Sequence, residues 1–164
     1  MRLILEKFLA CIACFVTITF VILTTQQVHA FFGIADISPF LITSMGASAS
    51  ILFFMSHNPA AQPAAFFCSH LIAALIAVLC VQYVPNASLS LAFSVTGTVG
   101  AMALLRCFHP PACATALALT MSHASYEVIL FPVFINVFVM LIFAIALNRW
   151  VLRRHYPLSF HNKT

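Results

Sequence analysis

The sequence predicts an all-α, polytopic transmembrane helix bundle of about five to six membrane segments, one or two of them short or discontinuous. Three observations predict it. Hydrophobic residues fill 63% of the 164 positions and charged residues only 6%, whereas soluble domains carry about 25% charge and aggregate without it. The apolar runs are continuous, not the alternating stretches of roughly ten residues that barrel strands require. No Asp, Glu, Lys or Arg occurs between Asp36 and Arg106, or between Arg106 and Glu127. The chain reads as one integral membrane domain, residues 1–164, with the lipid bilayer as its first partner.

The segments follow in order. The first is 8–28, closed by Thr24-Thr25-Gln26-Gln27. Arg2, the apolar run and Val28-His29-Ala30 also imitate a cleavable signal peptide, but the uncharged run is long enough to span and a retained helix is expected. The second segment, 39–56, opens at Pro39, which a first helical turn tolerates. The third, 64–84, lies between Pro63 and Pro85, and the fourth is 88–105. A short piece, 111–122, falls well below the roughly 20 residues of a full span. The last, 128–148, contains Pro132 and Asn136 and leads into a short basic tail, 151–164, expected in the cytoplasm.

Whether 111–122 crosses decides the topology. With six crossings both termini share one side with Arg106, while Asp36 and Glu127 fall opposite all seven bases. That sorting obeys the excess of Lys and Arg on cytoplasmic sides. Both termini are therefore expected inside, in a bacterial inner membrane. Each half then reads as long span, short small-residue helix, long span, carrying Gly46-Ala47-Ser48-Ala49-Ser50 and Pro111-Ala112-Cys113-Ala114-Thr115-Ala116. Three crossings per half would make a 3+3 inverted repeat, the plan of many secondary transporters. Chance similarity between alanine-rich helices is the competing account.

Arg106-Cys107-Phe108-His109-Pro110-Pro111 is the densest chemical signal. An arginine at a bilayer centre costs about 2.5–3.5 kcal/mol even on lenient scales, so Arg106 belongs at an interface or beside a polar cavity. Pro110 and Pro111 suit a helix start and stop the preceding helix. The N–H groups that follow, Ala112 first, are expected to point back toward Arg106 and His109. A helix N-terminus favours anions, and a guanidinium and an imidazole beside it would hold a small one. The plainer account makes Arg106 a topology anchor and His109 a cap.

Other polar positions carry two accounts each. Ser48 and Thr115 are hydroxyl donors for a substrate, or bond their own helix carbonyls. Asn58 and Gln62 line a gate, or satisfy a turn. His70 couples protons, or joins helices; Asn136 reads as interhelical glue. Gly97 and Ala101 offer a close-packing face on which a homodimer is a further expectation. The six cysteines read as small hydrophobes. No metal and no cofactor is expected, since Cys107, His109 and Cys113 lack a fourth ligand and an orienting carboxylate. No catalytic constellation stands out, and the net charge of +4 sits near membrane faces, not in a nucleic-acid-binding patch.

Ser44-Met45-Gly46-Ala47-Ser48-Ala49, Asn58-Pro59-Ala60-Ala61-Gln62-Pro63 and His109-Pro110-Pro111-Ala112-Cys113-Ala114-Thr115-Ala116 occur in that order. Together they resemble the HPP family of integral membrane proteins, named for its His-Pro-Pro signature, over roughly residues 37–147. The resemblance implies a membrane transporter or channel for a small inorganic anion. Plastid and cyanobacterial members are associated with nitrite, while many bacterial members have no assigned role. Some members append nucleotide-sensing CBS modules, and this sequence contains none. It departs from the family pattern at Cys113, where glycine is expected. The alternative from another class is a non-transporting scaffold or sensor subunit.

Overall fold

A computed structural model describes residues 2–32, 38–127 and 129–158. The helices are α1 (Arg2–Phe32), α2 (Ser38–Phe54), α3 (Pro63–Tyr83), α4 (Ala87–Leu104), α5 (Ala112–Met121) and α6 (Phe134–Ala146). Four stretches are long and apolar enough to cross a membrane: Leu3–Phe31, Pro63–Tyr83, Ala87–Leu104 and Phe131–Val151. At 1.5 Å per residue the 21-residue α3 is about 31 Å long, matching a hydrocarbon core of about 30 Å. The ten residues of α5 reach only about 15 Å.

Local chemistry sets the helix ends. Pro63 opens α3, and the Asn86 side chain accepts from the Leu89 amide (3.0 Å) to cap α4. At the end of α4, Cys107 N–H donates to Met102 O and Arg106 N–H to Ala103 O. This paired closure places Arg106 at φ 54°, a left-handed position usually given to glycine. His123 (φ 50°) ends α5 the same way, with Ala124 N–H donating to Leu119 O. Pro132, which cannot donate to a helix ladder, lies in a π-helical turn, Ile129–Val133, leading into α6; a second such turn, Leu147–Val151, follows it.

Small residues face inward and large ones outward. Ala73, Ala74 and Ala77 of the central helix α3 are fully buried, whereas Phe15, Leu75, Phe93 and Leu104 are exposed. Lipid is as apolar as leucine, so close backbone approach and dispersion hold the helices together. Exposed Tyr83 and Trp150 stand at helix ends, where amphipathic rings meet the headgroups. Gly97, a candidate for association between copies, is exposed on α4, yet a Cβ there would meet Ile76 of α3 at 3.3 Å.

Both ends of the described chain lie at one end of the bundle. Arg154 donates to Glu6 (2.7 Å) at the start of α1 and to the Phe53 carbonyl at the end of α2. Tyr156 OH donates to Ala61 O (2.7 Å) between α2 and α3. Six alternating segments account for this placement; five would separate the ends. Exposed Lys7, Arg106, Arg149 and Arg153 share that end, and Glu127 lies in the α5–α6 connection at the other. Asp36 and Lys163 lie outside the described residues.

The packing also has an internal symmetry. Exchanging α1, α2 and α3 with α4, α5 and α6 carries every closely packed helix pair onto another such pair. Thus α1–α2 maps onto α4–α5, α3–α4 onto α1–α6 and α3–α5 onto α2–α6, while α2–α5 and α3–α6 map onto themselves. With three segments per half, the halves run oppositely. The two short helices meet at the centre of this exchange.

Candidate functional site: a buried histidine and hydroxyl cluster

Ser44, Ser48, His70, His109 and Thr115 form one hydrogen-bonded cluster, each with 0% of its surface exposed. Three elements present them. Ser44 and Ser48, one turn apart, share a face of α2. His70 sits seven residues into α3, about 10 Å from its start. His109 precedes the double proline, and Thr115 follows it on α5. Ser48 Oγ lies 3.1 Å from His70 Nε2 and 2.9 Å from His109 Nε2. Thr115 Oγ1 lies 2.8 Å from His70 Nδ1 and donates to Ser44 Oγ at 2.8 Å. The Phe66 ring meets both imidazoles edge-on, at centroid distances of 5.0 and 5.3 Å.

The ring tautomers follow from the acceptors. A carbonyl only accepts, so His109 donates from Nδ1 to Ala60 O (2.7 Å). Ser44 gives its proton to Leu41 O (3.0 Å); Thr115 must then donate to Ser44, and His70 Nδ1 must donate to Thr115. With both rings neutral, each Nε2 is a bare acceptor, and the two converge on the single Ser48 hydroxyl.

A loop covers the cluster toward the end that holds the termini. It supplies the Ala60 carbonyl to His109 and is pinned from both directions. Asn58 Oδ1 accepts from Ala60 N–H (2.8 Å), and Gln62 Nε2 donates to Ser56 O (2.9 Å) and Asn58 O (3.2 Å). From the tail, Leu158 N–H donates to Gln62 Oε1 (2.9 Å) and Tyr156 OH to Ala61 O. Burial raises the Tyr156 phenol well above its ordinary range, so it stays a donor at physiological pH. Arg154 and Asn148 fasten the tail to α2, the latter through Leu52 O (3.1 Å).

Several residues expected from the sequence come together here: Ser48, His70, His109 and Thr115 in the cluster, Asn58 and Gln62 in its cover. The cradle around Arg106 does not form. Arg106 is exposed at the left-handed closure of α4 (φ 54°), whereas His109 is fully buried. Nor are the amides after the double proline free: Ala112, Cys113 and Ala114 N–H groups donate to His109, Pro110 and Pro111 carbonyls at 3.0 Å. Two prolines with helical φ let the chain start in a tight three-residue turn that uses these donors internally. Pro111 and Ala112 are buried and Pro110 exposed, so the pair acts as a wedge that presents His109. Asn136 bonds Thr25 Oγ1 across α1 and α6 at 2.7 Å, the interhelical role its position implies.

Sequence pattern alone does not single out Ser44, the Ala60 carbonyl, Phe66 or Tyr156. Ser44 and Phe66 carry a faint signal, each standing four residues before a cluster member on its own helix. The other two contacts are tertiary and leave none. A cavity of about 350 Å³, lined by Cys14, Phe15, Ile18, Gly46, Ala49 and Ser50 among others, opens between α1 and α2. It lies on the opposite face of α2 from Ser44 and Ser48, is mostly apolar and holds none of the cluster.

Comparison with known proteins agrees with this architecture. Two Dictyostelium discoideum proteins, each called a transmembrane protein, are 30% identical over 126 residues, 72% of this chain. The chain spans 44% and 40% of their lengths, less than half of either. No solved structure matches it. The family described as the HPP transmembrane region matches residues 2–157, and the chain is therefore an integral membrane protein of the HPP transmembrane family.

Proposed function

We propose that the protein is a transporter or channel for a small inorganic anion, nitrite being the first candidate through its family. One observation carries this reading: two imidazoles and three hydroxyls are fully buried where the two short helices cross, between oppositely running halves. Polar groups inside a membrane bundle are expensive and commonly mark a substrate or ion path. In inverted-repeat transporters the site lies at the repeat interface, on short or broken helices. Every imidazole N–H and hydroxyl of the cluster is engaged internally, and release of the His109 Nδ1–H from Ala60 O would present a donor to a small monovalent oxyanion.

The exposed bases Lys7, Arg106, Arg149 and Arg153 raise the local anion concentration at one mouth. By the same charge they set that end in the cytoplasm, with a bacterial inner membrane as the proposed location. Arg106 thus serves as an attractor at the mouth, and His109 and Ser48 as groups met inside. With the cluster fully buried, passage requires the 56–62 cover to move and break the Ala60–His109 bond.

Labelled nitrite uptake into proteoliposomes tests this, with Arg106→Ala and His109→Gln beside the unaltered chain. Uptake should exceed that of empty vesicles and fall several-fold in both variants. Equal uptake with and without protein would end the transport reading and leave a scaffold or sensor subunit.

A further inference from the structure

The cluster is short of protons for the contacts it makes. Seven side-chain contacts tie it together and to the backbone: Ser44–Leu41 O, Ser48–Ser44 O, Ser48–His70, Ser48–His109, His70–Thr115, His109–Ala60 O and Thr115–Ser44. Each needs one proton, and with neutral rings the five side chains bring only five. The deficit is localised. Five contacts fix their donors unambiguously, which leaves the two Nε2 lone pairs facing Ser48 Oγ from 3.1 and 2.9 Å. The single Ser48 proton already serves Ser44 O and can serve one ring only by leaving it.

We propose that His109, Ser48 and His70 form a proton-binding relay that takes up one proton with each anion. Once the 56–62 cover has moved, a hydronium ion entering from the mouth at the termini breaks one O–H bond and leaves as water. An N–H bond forms at His109 Nε2, and that N–H donates to Ser48 Oγ. The Ser48 O–H then passes its proton to His70 Nε2 and takes the one from His109. One N–H bond has broken and one has formed, and the hydroxyl is restored. The sixth proton satisfies a sixth contact wherever it rests. His109 lies in the connection from the base-rich end and His70 deeper along α3, so the relay runs inward.

The surroundings supply no counter-charge. Among the described residues α2 brings Ser44 and Ser48 to the cluster, α3 His70 and α5 Thr115. Cys113 on α5 is a free thiol, and no Asp, Glu, Lys or Arg occurs from Ile37 to Leu105 or from Cys107 to Tyr126. The connections add Cys107, buried, Arg106 and His57, both exposed. Of the described acids, Glu6 pairs with Arg154 and Glu127 lies at the far end. An imidazolium here is therefore unpaired, and a buried charge without a partner is costly. A permeating anion provides that partner, so proton and anion enter together. This coupling rests on the anion reading above; the proton site does not.

The test is nitrogen NMR of the histidine-labelled full chain in lipid bilayers. At neutral pH both His70 and His109 should show the Nδ1–H tautomer, and acidification should produce one imidazolium between these two rings, resolved from the signals of the other five histidines. Ser48→Ala should lower the imidazolium-to-imidazole ratio at acid pH at least tenfold, through loss of a charge-assisted hydrogen bond, and Ser48→Thr should restore it. Sodium nitrite should raise the ratio. An Nε2–H tautomer on either ring at neutral pH, a read-out that needs no variant, would overturn the proposal, as would two rings that stay neutral in acid. A ratio indifferent to nitrite would remove the coupling. None of these readouts involves flux, so a silent titration leaves anion passage standing alone, and a titrating cluster in a flux-free protein removes only the anion reading.

Discussion

Replacing Ser48 with alanine should destabilise the fold by about 2 kcal/mol. The Ser48 hydroxyl bonds Ser44 O at 2.9 Å and meets two imidazole nitrogens at 3.1 and 2.9 Å. Ser44 O keeps its helical amide partner, so its loss is small. By turning from Ser44 O the hydroxyl proton can satisfy one bare Nε2 at a time, and alanine removes that donor altogether from a site with no exposed surface. An orphaned buried acceptor costs about 1–3 kcal/mol. In a chain of this size each kcal/mol lowers the melting temperature by about 2–4 °C, so the midpoint in detergent micelles should fall about 4–8 °C. Thr115→Val removes the partner on the other side of His70. Because both variants act on one ring, their combined effect should depart from the sum by about 0.5 kcal/mol or more. A Ser48→Ala protein that melts with the parent, or strict additivity with Thr115→Val, would show that the hydroxyl is not held between the two rings.

Asn136→Leu should behave oppositely. Asn136 makes one bond to Thr25, worth about 0.6 kcal/mol by membrane-protein averages, but its carbonyl oxygen is buried without a partner among the described residues. Leucine removes both, and the melting temperature should hold or rise; a drop of several degrees would contradict this. Arg106→Gly should raise stability by about 1 kcal/mol, since a non-glycine residue in the left-handed region costs about 1–2 kcal/mol and Arg106 stands at φ 54°. The same variant should lose nitrite uptake, so thermal melting and uptake move in opposite directions. Tyr156→Phe removes the tail's bond to Ala61 O, worth about 1 kcal/mol. Hydrogen exchange at the Ala61 and Gln62 amides should quicken about fivefold, and unchanged exchange would mean that the tail does not restrain the cover.

The sequence by itself determined the solvent and the helical class, and left the number of membrane segments at about five to six. A chain with 6% charge has only lipid to fold in, and helices satisfy every backbone group there without partners. Pro63 and the Pro110–Pro111 pair marked where helices begin, because that signal acts within a few residues. Thr24-Thr25-Gln26-Gln27, expected to close the first segment, instead lies inside α1, which runs Arg2–Phe32. The basic residues described in the structure sit at one end because none falls within the uncharged runs 37–105 and 107–126. The meeting of His70 with His109 was decided only in three dimensions. Ser48 and His109 stand 61 residues apart and Ser44 and Thr115 71 apart, and no periodicity encodes which face of a uniformly apolar helix turns inward. The exposed position of Arg106 was likewise settled in three dimensions, at the closure of α4, whose left-handed residue the sequence disguises by using arginine where glycine is usual. In lipid both faces of a helix are apolar, so burial cannot choose between them; small residues and hydrogen-bond partners on other helices make that choice, and they act only after the bundle assembles.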